Sequence, residues 1–383
     1  MECSEKLIWN KFNKKEFMQV SIVLPDEEIR QAVFAHWDHV AKPIDGLGKF
    51  ESIIAKLGAI SGTDQIDLSQ KAVIIMCADN GIVEEGVSQS GQEVTAIVAG
   101  KMAERKSSVG KMSQVNGVDT IPVDIGMNQA KKLAGVLDRR IRCGTRNFLK
   151  EPAMTEEEAI RAIAVGIELV RECKNAGYNI LATGEMGIGN TTTSSAVTAS
   201  LLGLDARDVT GRGAGLDDHK LEHKIDVIDR ALKKYGLRKG PEEKELAMGV
   251  ADQKRREQSF RALKTVGGLD IAGLVGVCIG GAIYHVPVVL DGVISLAAAL
   301  ASEYLMPGTK EYLIASHKGK EPATEIILNE LGLDAVIDGD LALGEGTGAV
   351  MMFALLDLAL SVYRDRTTFL DMKIEQYERY QKR

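Results

Sequence analysis

Two stretches of this chain set a glutamate among glycines where a turn opens onto a helix: GEMGIGNTTT at 184–193 and LGEGTGA at 343–349. Glycines clear space around a carboxylate and let backbone approach a ligand, while the N–H groups that open a helix point outward. The first turn thus has the ingredients of an anion site, with Asn190, Thr191, Thr192 and Thr193 as side-chain donors. A helix start capped by Asn or Thr accounts for the same residues. The turn is neither GxGxxG nor a Walker A loop, because no lysine follows its glycines. Taken singly, Glu345 in the second stretch reads equally as a solvated acid on a loop. Two such loops in one chain point to a shared cleft whose carboxylates do acid–base or positioning work.

Two more loops carry candidate groups. TGRGAGLDDHKLEHK (210–224) offers Arg212 and Lys224 as phosphate partners, one a fork and one a point charge. His219 and His223 stand one helical turn apart, a spacing that suits a metal pair. Set among Lys and Glu, they read instead as a solvated face, and no metal is expected. ASHKGKEPATE (315–325) places Ser316, His317, Gly319 and Lys320 after a strand, as a second anion loop or a polar turn. GxSxG is absent and no cysteine sits in an activating context, so carboxylates carry the chemistry if the chain is an enzyme.

The elements that must hold these groups follow from periodicity. KAVIIMCADNG (71–81), DTIPVDIG (119–126), the run before Gly184, VPVVLDG (286–292) and YLIASH (312–317) read as strands. Helices fall between them: 155–177, with a Thr155–Glu158 capping box and Gly177 as its stop, then 294–305 and a segment around 322–332. Such alternation implies right-handed crossovers and a mostly parallel sheet with helices on both faces, binding ligands beyond the carboxyl ends of its strands. Helical periodicity over 26–60, interrupted by KPIDGLG at 42–48, and an apolar helix after Gly348 lack neighbouring strands. Residues 1–65 and 355–383 are therefore expected to form a small helical subdomain beside a catalytic α/β domain at 66–354.

Composition excludes several classes. The 383 residues carry a net charge of -7, and the most basic stretches, KKYGLRKG (233–240) and KRR (254–256), are flanked by acids, which argues against nucleic acid. Five scattered cysteines without a CxxC suggest neither disulfides nor zinc, and the opening MECSEKLIWNKFNKKEFMQV has no signal-peptide run, so a cytoplasmic location is expected. Residues 271–290 are apolar enough to suggest a membrane span, yet His285 and Pro287 interrupt them and Asp270 and Asp291 bracket them. A buried helix followed by a buried strand, with no membrane span, is the better reading.

In order along the chain, KPIDGLG, ADNGIVEEGVS, QEVT, VDIG, GTRNF, GEMGIGNTT, TGRGAGLDD, VVLDG, SH…EP and LGEGTGA resemble the nicotinate-nucleotide:dimethylbenzimidazole phosphoribosyltransferase family, from about Lys42 to about Leu355. The resemblance implies a Rossmann-like domain with a small helical one and no cofactor. It implies a homodimer with sites near the subunit interface, or a heterodimer with a homologous subunit. Its substrates are nicotinate mononucleotide and an aromatic base. Glu345 then matches the general base and Glu185 the second carboxylate. Gly187, Gly189, Asn190, Thr191 and Thr192, with Lys224 and Gly319, match the phosphate-holding set; Ser88, Ser90, Arg212 and Gly344 complete the substrate contacts. Asp45, Asn80, Gly91, Gly319 and Ala342 depart from the family pattern, most of them in substrate-side loops, which bears on the acceptor, dimethylbenzimidazole, adenine or a phenol, more than on the reaction. A nucleotide-binding paralogue with weak turnover is the alternative of another class; a dehydrogenase lacks its fingerprint in ADNGIVEEG.

Overall fold

Lys71–Ala78 is buried along its whole length, and a strand of that kind needs cover on both faces. In the structure, a computed structural model, it is β1 at the heart of a six-stranded sheet. Residues 17, 20–129, 131–238, 248–364 and 367–379 are described; Cys3, most of the opening twenty residues and the last two of KKYGLRKG lie outside the described residues. The sheet adds β2 (Val118–Gly126), β3 (Leu137–Asp138), β4 (Ile180–Met186), β5 (Val288–Leu290) and β6 (Leu313–Ala315), in the order β3-β2-β1-β4-β5-β6 with every pairing parallel. The order turns back between β1 and β4, the place where doubly wound sheets open a crevice for ligands.

Helices α1 (Glu27–His39), α2 (Lys49–Ser61), α3 (Glu93–Ala103) and α4 (Ser108–Val115) precede β2. Then come α5 (Glu156–Asn175), α6 (Asn190–Leu202), α7 (Asp218–Lys234), α8 (Met248–Val266), α9 (Leu269–Tyr284), α10 (Val293–Leu305), α11 (Ala323–Leu331) and α12 (Thr347–Tyr363). Successive β1 residues serve opposite cores, as a two-residue period requires. Ile74 and Met76 pack with Ile163 of α5, Val197 of α6 and Val275 of α9. Val73, Ile75 and Cys77 pack with Leu57 of α2, Met102 of α3 and Phe353 of α12. Helices from both chain ends thus share the second core with the sheet. The expected capping box opens α5, with Thr155 Oγ1 accepting from the Glu158 N–H at 3.1 Å and Glu158 answering at 2.7 Å.

The apolar stretch 271–290 is the expected buried helix, α9, followed by buried β5. Its glycines have a packing reason: a Cβ on Gly166 of α5 would lie 2.6 Å from the Val277 nitrogen, and one on Gly276 would lie 2.9 Å from Gly166 Cα. The two helix backbones touch. Replacing Gly276 by Ala forces them apart, and the expected cost is about 3 kcal/mol, read as a lower denaturation midpoint at unchanged slope.

The expected strand at 312–317 is split. Leu313–Ala315 stays in the main sheet, while β7 (His317–Gly319) leaves it to pair in parallel with β8 (Ile337–Leu341). Ser316 is the branch point: its N–H and Oγ hydrogen-bond the Leu290 carbonyl, and its own carbonyl accepts from Val336 and Ile337. β8, IDGDL, has no apolar alternation to announce it. At the chain's end, Arg379 bridges Asp38 and Asp45, each at 2.7 Å, which ties the KPIDGLG loop to the tail.

Candidate active site

Glu185 is the penultimate residue of β4, in register with Met76 of β1, so its carboxyl stands at the crevice where the strand order reverses. Gly187 fits only without a side chain, since a Cβ would lie 2.5 Å from the Ala78 carbonyl. Gly189 is left-handed at φ 93, and α6 begins at Asn190 without a side-chain cap. Asn190 instead turns its amide onto Glu185 Oε2. The capping role considered from the residue types is therefore replaced by a grip on the carboxylate.

The second glutamate loop lies over this one. Gly344, Glu345 and Gly346 are three consecutive left-handed residues, at φ 80, 63 and 93. A Cβ on Gly344 would lie 2.6 Å from Glu185 Oε1, and one on Gly184 would lie 2.6 Å from the Glu345 carbonyl. Glu345 keeps its side chain there against a steric cost of roughly 1–2 kcal/mol. Asp291, just past β5, holds the loop: its carboxylate accepts from the N–H groups of Gly346 (3.1 Å), Gly348 (2.9 Å) and Ala349 (3.3 Å). It is the N-terminal cap of α12, supplied by another element. Glu345 in turn accepts from the Val109 N–H at the start of α4, at 3.3 Å.

Glu185, Asp291 and Glu345 line one cavity of about 220 Å³ with His317, Thr191, Gly319 and apolar Ile188, Val293 and Leu343. Ser316 spends its proton on the Leu290 carbonyl at 2.6 Å, so at 2.9 Å it accepts from His317 Nδ1. That places a proton on Nδ1, and burial lowers the pKa of the ring against the pull of Asp291. Among the described residues the one lysine of the lining is Lys320, which is exposed.

Of the residues picked from sequence, Glu185, Glu345, Gly187, Asn190, Thr191, Gly319 and Gly344 line the cavity, as does Ala342. Thr192 is fully buried, and Lys224 is buried behind the wall, giving its ammonium to Thr191 Oγ1 and the Gly211 carbonyl, both at 3.0 Å. Gly189 shapes the turn without lining the cavity. Arg212 bonds Asp218 at 2.5 Å and the Leu216 carbonyl, while Ser88 accepts from the Ser90 N–H; none of the three lines it. His223 bonds the Glu85 carbonyl at 2.6 Å. Asp291, His317 and Glu321 join the lining with less notice from the sequence. The signal for Asp291 is present in the sequence: VVLDG ends a strand in an acid near glycine, as ADNG does.

Burial pushes the Glu185 carboxyl up to about 8 against the Asn190 hydrogen bond, with Asp270, Asp291 and Glu345 adding to the rise. Burial also raises Glu345, opposed by Val109 and reinforced by Asp291. Below both its unfolded value near 4.5 and its folded one, Glu185 is protonated in either state; between them the folded state holds the extra proton, so its contribution to stability is lost as pH rises toward 8. Glu185→Gln, which is neutral throughout, is therefore expected to gain stability relative to wild type as pH rises from 5 to 8. Denaturant midpoints of the two proteins across that range check the sign.

The family model described as Phosphoribosyltransferase matches residues 22–374. The nicotinate-nucleotide–dimethylbenzimidazole phosphoribosyltransferase of Acetivibrio thermocellus is 41% identical over 343 residues, 89% of this chain and 92% of that protein. Its namesake from Clostridium acetobutylicum is 37% identical over 353 residues, 92% of this chain and 96% of that one. The crystal structure of CobT from Thermus thermophilus superposes with a TM-score of 0.82 at 33% identity, covering 91% of this chain and all of that one. With the α/β fold, the two facing glutamate loops and these likenesses together, the chain belongs to the nicotinate-nucleotide:dimethylbenzimidazole phosphoribosyltransferase family.

Proposed function

We propose that the chain transfers the 5-phosphoribosyl group of nicotinate mononucleotide to an aromatic base, 5,6-dimethylbenzimidazole or an analogue. The products are nicotinate and an α-ribazole-type 5′-phosphate for the cobamide lower ligand. The observation that carries this reading is the cavity's charge: Glu185, Asp291 and Glu345 converge there without a buried cation among the described lining residues. Nicotinate leaves a pyridinium N-glycoside, so it needs no general acid; the acceptor N–H needs a base, and the ribose needs negative charge as the C1′–N bond loosens. Glu345 takes the acceptor's proton and Glu185 faces the sugar. Attack from the face opposite the leaving ring inverts the β-nucleotide to an α-product.

The phosphate belongs with Gly187, Thr191 and Gly319 at the wall; the Gly213 N–H beside them is already given to Glu321 at 2.9 Å. Lys224 supports that wall from behind, through Thr191. Ala342 and Gly319, two departures from the family pattern, line the same cavity, and this favours, as the second reading, adenine or a phenol as the acceptor in place of dimethylbenzimidazole. A homodimer or a pairing with a homologous subunit, a cytoplasmic location and a helical unit built from 1–65 and 355–383 complete the proposal. Among the described residues no helix is long and apolar enough to cross a membrane.

The test is direct. Purified protein is incubated with nicotinate mononucleotide and separate benzimidazole, adenine and phenol pools, alone and with a co-encoded homologue, and released nicotinate is followed. Release with at least one pool is the expected result; none with any pool removes the reading.

A further inference from the structure

Beneath the Glu185 turn lies a carboxylate that the reaction scheme does not use. Asp270, in the first turn of α9, is fully buried, and its Oδ2 has no hydrogen-bond partner among the described residues. Its Oδ1 accepts from the Ile271 N–H at 2.9 Å. The side chains of Asn190 and Asn80 face it. Both Asp270 Oδ2 and Asn190 Nδ2 crowd the space beside Gly187 where a Cβ would stand, the amide nitrogen at 3.3 Å. Asn80 Oδ1 is also buried without a partner among the described residues. An amide thus stands between two buried carboxyl groups, Glu185 on one side and Asp270 on the other, with an orphaned carboxylate oxygen and an orphaned amide oxygen next to them. Two buried charges of one sign cannot both persist unneutralised in such a place.

The groups around Glu185 can be named element by element. Asp270 comes from α9, Asp291 from the end of β5, Glu345 from the loop before α12, and Asn190 from α6. His317, after β6, stands by Asp291, with burial lowering its pKa against the pull of that carboxylate. None of the other groups is a cation.

We infer that Asp270 is a positioning residue for Glu185: coupled through Asn190, the two carboxyl groups share one proton, and a nucleotide carrying positive charge at its glycosidic nitrogen expels that proton to solvent on binding. The shared proton removes one of the two buried negative charges until the cation arrives. The pyridinium charge then replaces it as the neutralising partner, and Glu185 becomes the anion that the loosening ribose requires. The proton belongs to the pair rather than to either residue. Asp270 touches no substrate; it acts by making the anionic form of Glu185 conditional on the nucleotide. The inference rests on the functional reading above, and its test separates the two.

Binding of nicotinate mononucleotide to the full chain is followed calorimetrically at pH 7 in buffers of different ionisation enthalpy, whose heats give the protons released per nucleotide. Close to one proton is expected from wild type and close to none from Glu185→Gln. In Asp270→Asn the pH of half-maximal release is expected to move down by about one unit, because the neighbouring charge is gone. A merely structural Asp270 changes affinity without moving that pH. Buffer-independent heats in wild type, equal release in Glu185→Gln, or an unmoved midpoint in Asp270→Asn overturns the inference while leaving the functional reading intact. Where Asp270→Asn fails to fold, Asp270→Ser, which also removes the charge, is read in the same way. A nucleotide that does not bind at all removes the functional reading, and the inference with it.

Discussion

Glu345→Gln is expected to lower kcat by about 10²–10⁴-fold while leaving the nucleotide's dissociation constant within a few-fold of wild type. The amide keeps the size of the side chain and the contact with Val109 N–H, but it cannot take a proton from the acceptor. The step it stops is proton removal, not nucleotide binding. Because burial raises the Glu345 carboxyl above its ordinary value, the wild-type rate falls away on the acid side at a higher pH than a free glutamate would set. That limb is absent from the residual rate of Glu345→Gln. A second substitution isolates the backbone: Glu345→Gly removes the base and also relieves the left-handed strain at φ 63. It is expected to be as inactive as Glu345→Gln yet more stable by roughly 1 kcal/mol. Equal stability of the two variants would show that the loop's shape carries no strain; wild-type turnover in either would remove Glu345 from the mechanism.

Much of this site is visible in sequence because its geometry is local. An apolar run, then an acid, then glycines says that a strand ends and a turn follows, and Glu185 stands there. The glycines beside Glu345 are present because Gly344 lies against Glu185 and Gly346 against Val73, and that crowding leaves a pattern in residue types even when the partners are unknown. The alternation of strands and helices likewise implied a parallel sheet with a crevice at its switch point. What the sequence does not carry is which way a polar group faces. Lys224 and Thr192 have the chemistry of phosphate ligands, yet both side chains are buried outside the cavity's lining. Arg212 turns to Asp218. Asn190 looks like a helix cap and holds a carboxylate instead. Asp270 and Asp291 bracket an apolar stretch, and the sequence does not say what each faces: the Asn190 and Asn80 side chains near one, the start of α12 against the other. β8 escaped notice for a related reason: its pairing is set by the Ser316 carbonyl, not by any alternation of its own.

Asp291→Ala is expected to be the most damaging single change to the loop's architecture, and it acts without removing a reacting group. Three N–H donors, those of Gly346, Gly348 and Ala349, lose their acceptor together. Loss of a cap costs about 1 kcal/mol and each donor stranded in a buried place about 1–3. Against that, removing a negative charge eases the crowding of Glu185 and Glu345, so the net cost expected is about 3 kcal/mol, measured from denaturation midpoints. The kinetic effect is larger in proportion. Without its cap the start of α12 can shift, and displacement of a catalytic carboxylate by about an ångström is enough to cost about 10²-fold in kcat. Asp291→Asn separates the two contributions: it keeps one acceptor oxygen for the loop and discards the charge. If Asp291 serves chiefly as a cap, Asn recovers much of both stability and kcat. If its charge is what the ribose feels, Asn recovers stability alone, and kcat stays as low as in Asp291→Ala. Either way the acid limb of the residual rate moves to lower pH, since Asp291 is one of the charges that raise Glu345. A limb that stays in place would show that the two carboxylates are not electrostatically coupled, and would leave Asp291 with a structural role only.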